Sequence, residues 1–294
     1  MPERIGSWEE FKAVVGNVSR GNVSLLYRGH SDASWPLTST WHRRAPTGSL
    51  EAYWRLLDRV HDVISTWVDR RWDLNNAHDV ASFVGFLQHN GFPTPLLDWT
   101  RSPYIAAFFA FEGVDDSYPK SDSVSVFIFD GLTFAREWQQ VYDPFSTAPH
   151  VSVLETFSRG NQKQIIQQGM YTFSNIVDQG SHLRALQSRN LPDGSISGTY
   201  LIEFQMPVKE KPVAMRELRL MGISAMSLFP SLEGVCRSLR DEHFAATEMG
   251  QTPSERIDEM LKRLKDETPL PPQVELPLDG TDDDLREDPL GSVL

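Results

Sequence analysis

QHNGFPTPLLDWTRSPYIAAFFAF, residues Gln88 to Phe111, places two polar side chains, a turn signal, two prolines, an acid and an unbroken apolar run in 24 residues. Asn90-Gly91 supplies a positive-φ site that ends the preceding element, and Pro93 and Pro95 hold the following backbone extended. The expected course is a helix, a sharp extended connection and a second helix. Thr100 or Ser102 can cap that second helix, with Pro103 in its first turn, where a missing N–H costs nothing. Tyr104 to Phe111 is apolar on every face, which predicts burial on nearly all sides. Asp98 is then expected beside a helix N-terminus, where the dipole favours a carboxylate. A helix-start or loop-fixing role and a functional role both fit it.

Working back towards the N-terminus, Ala77 to Leu87 reads as a helix carrying Val80, Phe83, Val84 and Leu87 inward and delivering Gln88 and His89 to the turn. A longer helix capped by Ser49 is expected to about Trp72, because Tyr53, Leu57, Val60, Ile64 and Trp67 recur at helical spacing. Ser31 to Gly48 is loop-like, with Trp35, Leu37 and Trp41 as anchors and Arg43-Arg44 as a basic pair. Val23 to Tyr27 is a short buried strand ending at Arg28-Gly29-His30, which would place Arg28 at the mouth of a cleft or in a surface ion pair. Ser7-Trp8-Glu9-Glu10 has the form of a capping box before a helix with Trp8, Phe11, Val14 and Val15 on one face.

Towards the C-terminus, Val124 to Phe129 (VSVFIF) is a near-continuous apolar run and reads as a central strand. Val151 to Phe157 and Thr199 to Met206 read as further strands. NQKQIIQQGMYTF, residues 161 to 173, holds four glutamines before a glycine and a strand-like end. Val213 to Gly222 reads as a helix and turn, and Leu232 to Leu239 as a helix packed on the sheet. From Pro253 a charged helix follows, with a narrow stripe of Ile257, Met260, Leu261 and Leu264, stopped by Pro269 to Pro272. These readings give an α+β fold, a mixed central sheet with flanking helices, over residues 1–250. Residues 251–294 hold a charged helix and an acidic tail with too few large apolar residues to fold alone.

Composition narrows the function. With 40% hydrophobic residues, 8 Trp and 16 Phe, the 294-residue chain has the material for a real core. One cysteine, Cys236, excludes an internal disulfide and a cysteine zinc cluster and fits a reducing compartment. MPERIGSWEE lacks the parts of an export signal, and no apolar run approaches about 18 residues. The expectation is a cytoplasmic protein without a membrane span. A formal charge of −12 argues against bulk nucleic-acid binding. Half of it, seven acids against one arginine, lies between Pro271 and Leu294, so a basic pocket in the folded part remains open. The tail suits a protein partner or an autoinhibitory contact.

The phosphate-loop, dinucleotide, zinc-protease and nucleophile-elbow motifs are absent, and eight scattered histidines give metal ligation little support. The remaining polar candidates are Arg28, His30, Gln88, His89, Asp98, Thr100, Ser102, Glu155 and the glutamine cluster. They suit an anionic, sugar-like or nucleotide-like ligand better than acyl transfer.

Tyr27-Arg28-Gly29, Trp35-Pro36-Leu37, Arg43, the opening stretch, Gln168-Gly169-Met170-Tyr171-Thr172 and LFPSLEGV near residue 230 together resemble the FRG domain family over roughly residues 7 to 240. Pro95 stands where that family usually has arginine. More distantly the layout is similar to the ADP-ribosyltransferase fold. Such enzymes open with an apolar strand ending Tyr-Arg, as in LLYRG, followed by a Thr/Ser strand and a helix ending Ala-x-x-Phe-Ala. Their third motif corresponds to Gln162-Lys163-Gln164-Ile165-Ile166, where Gln164 replaces the catalytic Glu. That carboxylate offsets the charge of an oxocarbenium-like transition state, so Asp98 or Glu155 would have to take its place.

The resemblance implies NAD as substrate or ligand, with Arg28, Asp98, Gln164 and Glu155 as the catalytic candidates. Arg28 would contact a phosphate, His30 and Trp99 would position rings, and Thr100 or Ser102 would hold the ribose. Gln88, His89 and Asp98 would form the cleft floor, with Tyr27, Gly29 and Gln168 completing the ligand set. It further implies an ADP-ribosyltransferase-like or NAD-consuming effector of the toxin or antiviral-defence type. The alternative is a non-catalytic nucleotide-sensing or protein-interaction module.

Overall fold

The computed structural model describes residues 2–20, 25–46, 49–115, 119–143, 145–155 and 162–245, and beyond these only 257, 258, 261 and 262. The chain divides into Met1–Ala245 and Ala246–Leu294. In the second unit the described residues are helical, with Ile257 and Leu261 exposed. Most of the expected charged helix, and all of the acidic tail, lie outside the described residues.

The first unit is α+β, built on a seven-stranded mixed sheet. Its strands are β1 (Glu3–Arg4), β2 (Leu25–His30), β3 (Leu96–Thr100), β4 (Ser123–Asp130), β5 (Val151–Leu154), β6 (Gly169–Ser174) and β7 (Leu201–Pro207). They lie in the order β1-β7-β4-β2-β3-β6-β5. β1 runs parallel to β7, and every other pairing is antiparallel. The helices are α1 (Trp8–Val18), α2 (Thr40–Arg44), α3 (Leu50–Val68), α4 (Ala77–His89), α5 (Pro103–Glu112), α6 (Gly131–Glu137), α7 (Gln162–Ile166), α8 (Gln179–Leu186), α9 (Lys211–Leu220), α10 (Ala225–Leu228) and α11 (Leu232–Ala245).

Local chemistry explains the element boundaries. Ser7, Ser49 and Ser102 cap α1, α3 and α5, each accepting a backbone N–H from the first turn. Glu10 reaches back to the Gly6 N–H at 2.8 Å, one residue beyond a standard capping box. α5 is buried through Ile105 to Phe108, Ala110 and Phe111, as its all-round apolar pattern demands. It packs on one face of β2 and β4 with Trp8, Phe11 and Val15 of α1 and Ala214 and Leu218 of α9. The opposite face carries Leu26, Leu97, Trp99, Phe127 and Phe129, covered by Phe134 of α6 and Leu183 of α8. α3 and α4 enclose a third cluster against Leu96, Tyr171 and Phe173.

Several expectations are corrected. Arg28, Gly29 and His30 lie within β2, paired with Phe127, Val126 and Ser125 of β4, instead of beyond the strand end. The extended connection before α5 is itself a strand, β3, so Asp98 sits mid-strand opposite Tyr171 and not at a helix N-terminus. α3 stops at Val68 because Asp69 turns left-handed, at φ 49°. Trp67, in the last turn of α3, is 87% exposed, while Trp72 beyond the turn is buried against Phe83. Trp35, expected as an anchor, is 46% exposed. α11 packs against α10, where Gly234 lies close to the Phe229 carbonyl, instead of lying on the sheet.

One pairing is unlike the rest. β2 meets β4 through six residue pairs but meets β3 only at Tyr27 and Thr100. Beyond that pair the two strands part, and the sheet opens.

Candidate functional site

The opening between β2 and β3 is a cleft of about 820 Å³, within the range of roughly 300–1,000 Å³ for small-molecule sites. In a continuous sheet, alternation would turn Arg28 and Asp98 to opposite faces. They share the cleft because the Arg28 side chain lies across the gap. Its Nη1 donates to the Asp98 carbonyl at 2.6 Å, a bond that a neighbouring strand would otherwise supply, and sits 4.0 Å from the Asp98 carboxylate. The preceding Tyr27 is buried, its hydroxyl 2.7 Å from Ser19 Oγ. The following Gly29 has no room for a side chain, because a Cβ there would lie 1.9 Å from the Ala106 carbonyl of α5. The three residues thus face core, cleft and helix in turn.

Arg28 also fixes His30. Its Nε–H donates to His30 Nε2 at 2.9 Å, which makes that nitrogen an acceptor and puts the ring proton on Nδ1, 3.3 Å from the Trp35 carbonyl. Burial, reinforced by the Arg28 charge, pushes the His30 pKa down to about 3. Burial also lowers the Arg28 pKa, against the pull of Asp98 and together with the repulsion of Arg43.

The far wall comes from α4, β6 and α7. His89 Nε2 is 2.8 Å from the Tyr171 hydroxyl, and burial lowers the His89 pKa while Asp98 opposes the shift and Lys163 adds to it. Gln88 Oε1 accepts from the Thr94 hydroxyl, so its amide holds the α4–β3 connection. Gln164 is buried on the cleft wall. Around the cavity stand three cations, Arg28, Arg43 and Lys163, and one carboxylate, Asp98, whose side chain is 54% exposed. Neither Arg43 nor Lys163 forms an ion pair with a described residue. Among the described residues no group of His, Cys, Asp or Glu could hold a metal ion, and no helix is long and apolar enough to cross a membrane.

The structure therefore brings together Tyr27, Arg28, Gly29, His30, Gln88, His89, Asp98, Trp99, Thr100 and Gln164. It leaves Ser102, Glu155 and Gln168 outside. The Ser102 hydroxyl caps α5. Glu155 is held by Arg101 at 2.6 Å. Gln168 occupies a left-handed turn at φ 51°, its carbonyl accepting the Arg101 N–H. Two of the gathered residues are used in ways other than expected. The Trp99 ring is 3% exposed, packed on Phe129 with its N–H on Thr172, so it positions no ligand ring. The Thr100 hydroxyl donates to the Gln167 carbonyl and accepts the Ser102 N–H.

Residues not singled out for the site also line it, chiefly Trp35, Arg43, Lys163 and Tyr171. Arg43 stood in the sequence as half of a basic pair. Tyr171 stood in the sequence only as part of the Gln168–Thr172 stretch that carries the resemblance, and its place at the cleft follows from its register opposite Asp98. No curated protein and no solved structure matches the chain, so the likeness to ADP-ribosyltransferases rests on the quoted residues alone. Residues 23–118, which supply Arg28, Gly29 and Asp98 but not the wall of Lys163, Gln164 and Tyr171, match the family described as FRG domain.

Proposed function

We propose that the cleft binds a nicotinamide dinucleotide and that the protein is an ADP-ribosyltransferase-like, NAD-consuming effector. The observation that carries this reading is the charge of the cavity, three cations against one carboxylate within a chain of net charge −12. Such a concentration of positive charge at a seam in the sheet suits phosphates. Toxin or defence roles come only from the family-level resemblance.

Asp98 is then the carboxylate placed for chemistry. In the proposed step the bond between ribose C1′ and the nicotinamide nitrogen breaks, and its electron pair leaves with neutral nicotinamide. Water or an acceptor hydroxyl attacks C1′ and gives up its proton, with the neutral His89 ring as the nearby base. Asp98 offsets the positive charge that develops on the ribose. Gln164, at the position of the family acid, can hold a hydroxyl but supplies no charge.

One observation favours a second reading, a binding module without turnover. The Asp98 carboxylate already faces Arg28 at 4.0 Å, which blunts its charge. The test combines nicotinamide release from NAD with calorimetric NAD affinity, for the full chain and for Asp98→Asn. Release by the wild type, reduced about 100-fold or more in the variant with affinity retained, supports the enzyme. Binding without release supports the module. Absence of NAD binding overturns both.

A further inference from the structure

Trp35 follows β2 in a turn whose backbone is fixed on both sides. The Asp32 carboxylate accepts the Ser34 N–H and hydroxyl at 2.8 and 2.7 Å, and the Trp35 N–H donates to the Asp32 carbonyl at 3.2 Å. The Trp35 carbonyl takes the His30 ring proton. The indole itself remains 46% exposed. An isolated exposed aromatic is ordinary on a protein surface. This one lies on the wall of the cleft together with Pro36 and Arg43, its ring centre 6.2 Å from that of His30, which in turn holds Arg28. An open indole on a fixed backbone, lining the same cleft as two guanidinium groups, has the two parts that nucleotide recognition needs, a flat apolar face and charges for phosphate.

We propose that Trp35 is the stacking platform of the cleft, taking the planar ring of a nucleotide whose phosphates lie at Arg28 and Arg43. This rests on the reading of the cleft as a nucleotide site, and it assigns ring recognition to Trp35 in place of the buried Trp99. In stacking the indole presents its face, with its N–H in the ring plane and away from the stacked base, so the platform selects for a flat ring and tolerates different bases.

The experiment measures calorimetric affinity of the full chain for NAD and for inorganic pyrophosphate, an anion with no ring. Trp35→Ala should weaken NAD binding about tenfold or more while leaving pyrophosphate within about twofold, and Trp35→Phe should keep NAD within about threefold. Melting temperatures of both variants are taken as the control for folding. Undiminished NAD affinity in Trp35→Ala overturns the platform and leaves the nucleotide reading standing. So does equal weakening of both probes, which marks a structural role. A wild-type protein that fails to bind NAD overturns the nucleotide reading and the platform with it.

Discussion

His30 is kept neutral by burial, reinforced by the charge of Arg28, whose Nε–H already occupies the ring nitrogen a second proton would need; the hydrogen bond to the Trp35 carbonyl pulls the other way. Protonating it would set two cations against each other in a buried place. Its folded pKa of about 3 lies below the ordinary 6.5, so the unfolded chain takes up the proton first as pH falls. The stability it contributes is complete above pH 6.5 and is lost progressively as pH falls towards 3. His30→Gln should remove this sensitivity. Between pH 7 and pH 5, the stability loss in urea unfolding should be smaller in the variant by about 1–2 kcal/mol; equal losses would show that the ring is not held neutral. Arg28 and His30 were legible as a motif, but the hydrogen bond that fixes the His30 tautomer was not, because it depends on the two side chains leaning together on one face of β2.

Among the elements, α5 was readable almost in full. Ser102, Pro103 and an unbroken apolar run specify its start and its burial without reference to anything distant. β3 was not, because the five residues Leu96–Thr100 carry no strand period of their own, and the strand exists through pairing with β6 some 70 residues later. Glu155 was legible as an acid but not as the partner of Arg101, which removes it from the cleft. The contact of β2 with α5 gives a stability prediction. At Gly29 the atoms a methyl group would meet are backbone, the Ala106 carbonyl and the Ala110 N–H, and backbone cannot step aside as a side chain can. Gly29→Ala should therefore cost about 3 kcal/mol, read as a lower midpoint in chemical denaturation. A change under about 0.5 kcal/mol would mean that the strand and helix are not so closely packed.

For the molecule as a whole, charge and topology meet at one place. The chain carries −12, yet the cleft holds three cations against Asp98. An anion in it meets more positive than negative charge, and salt screens that attraction. A tenfold rise in ionic strength shortens the screening length about threefold, and NAD affinity should then fall several-fold. An affinity indifferent to salt would assign binding to stacking and shape alone. The apolar strands and the fold class were plain in the sequence, but the opening in the sheet was not, since it consists of pairs that fail to form between two strands that each look ordinary. That opening has a mechanical meaning. Four strands on one side and three on the other meet along a crease that, within the sheet, one residue pair and one guanidinium bridge, with α5 packed against both sides. A molecule lodged in the crease would touch both plates at once and act as a rivet, so slower hydrogen exchange along β2 and β3 on adding NAD is the expected mark of a filled site.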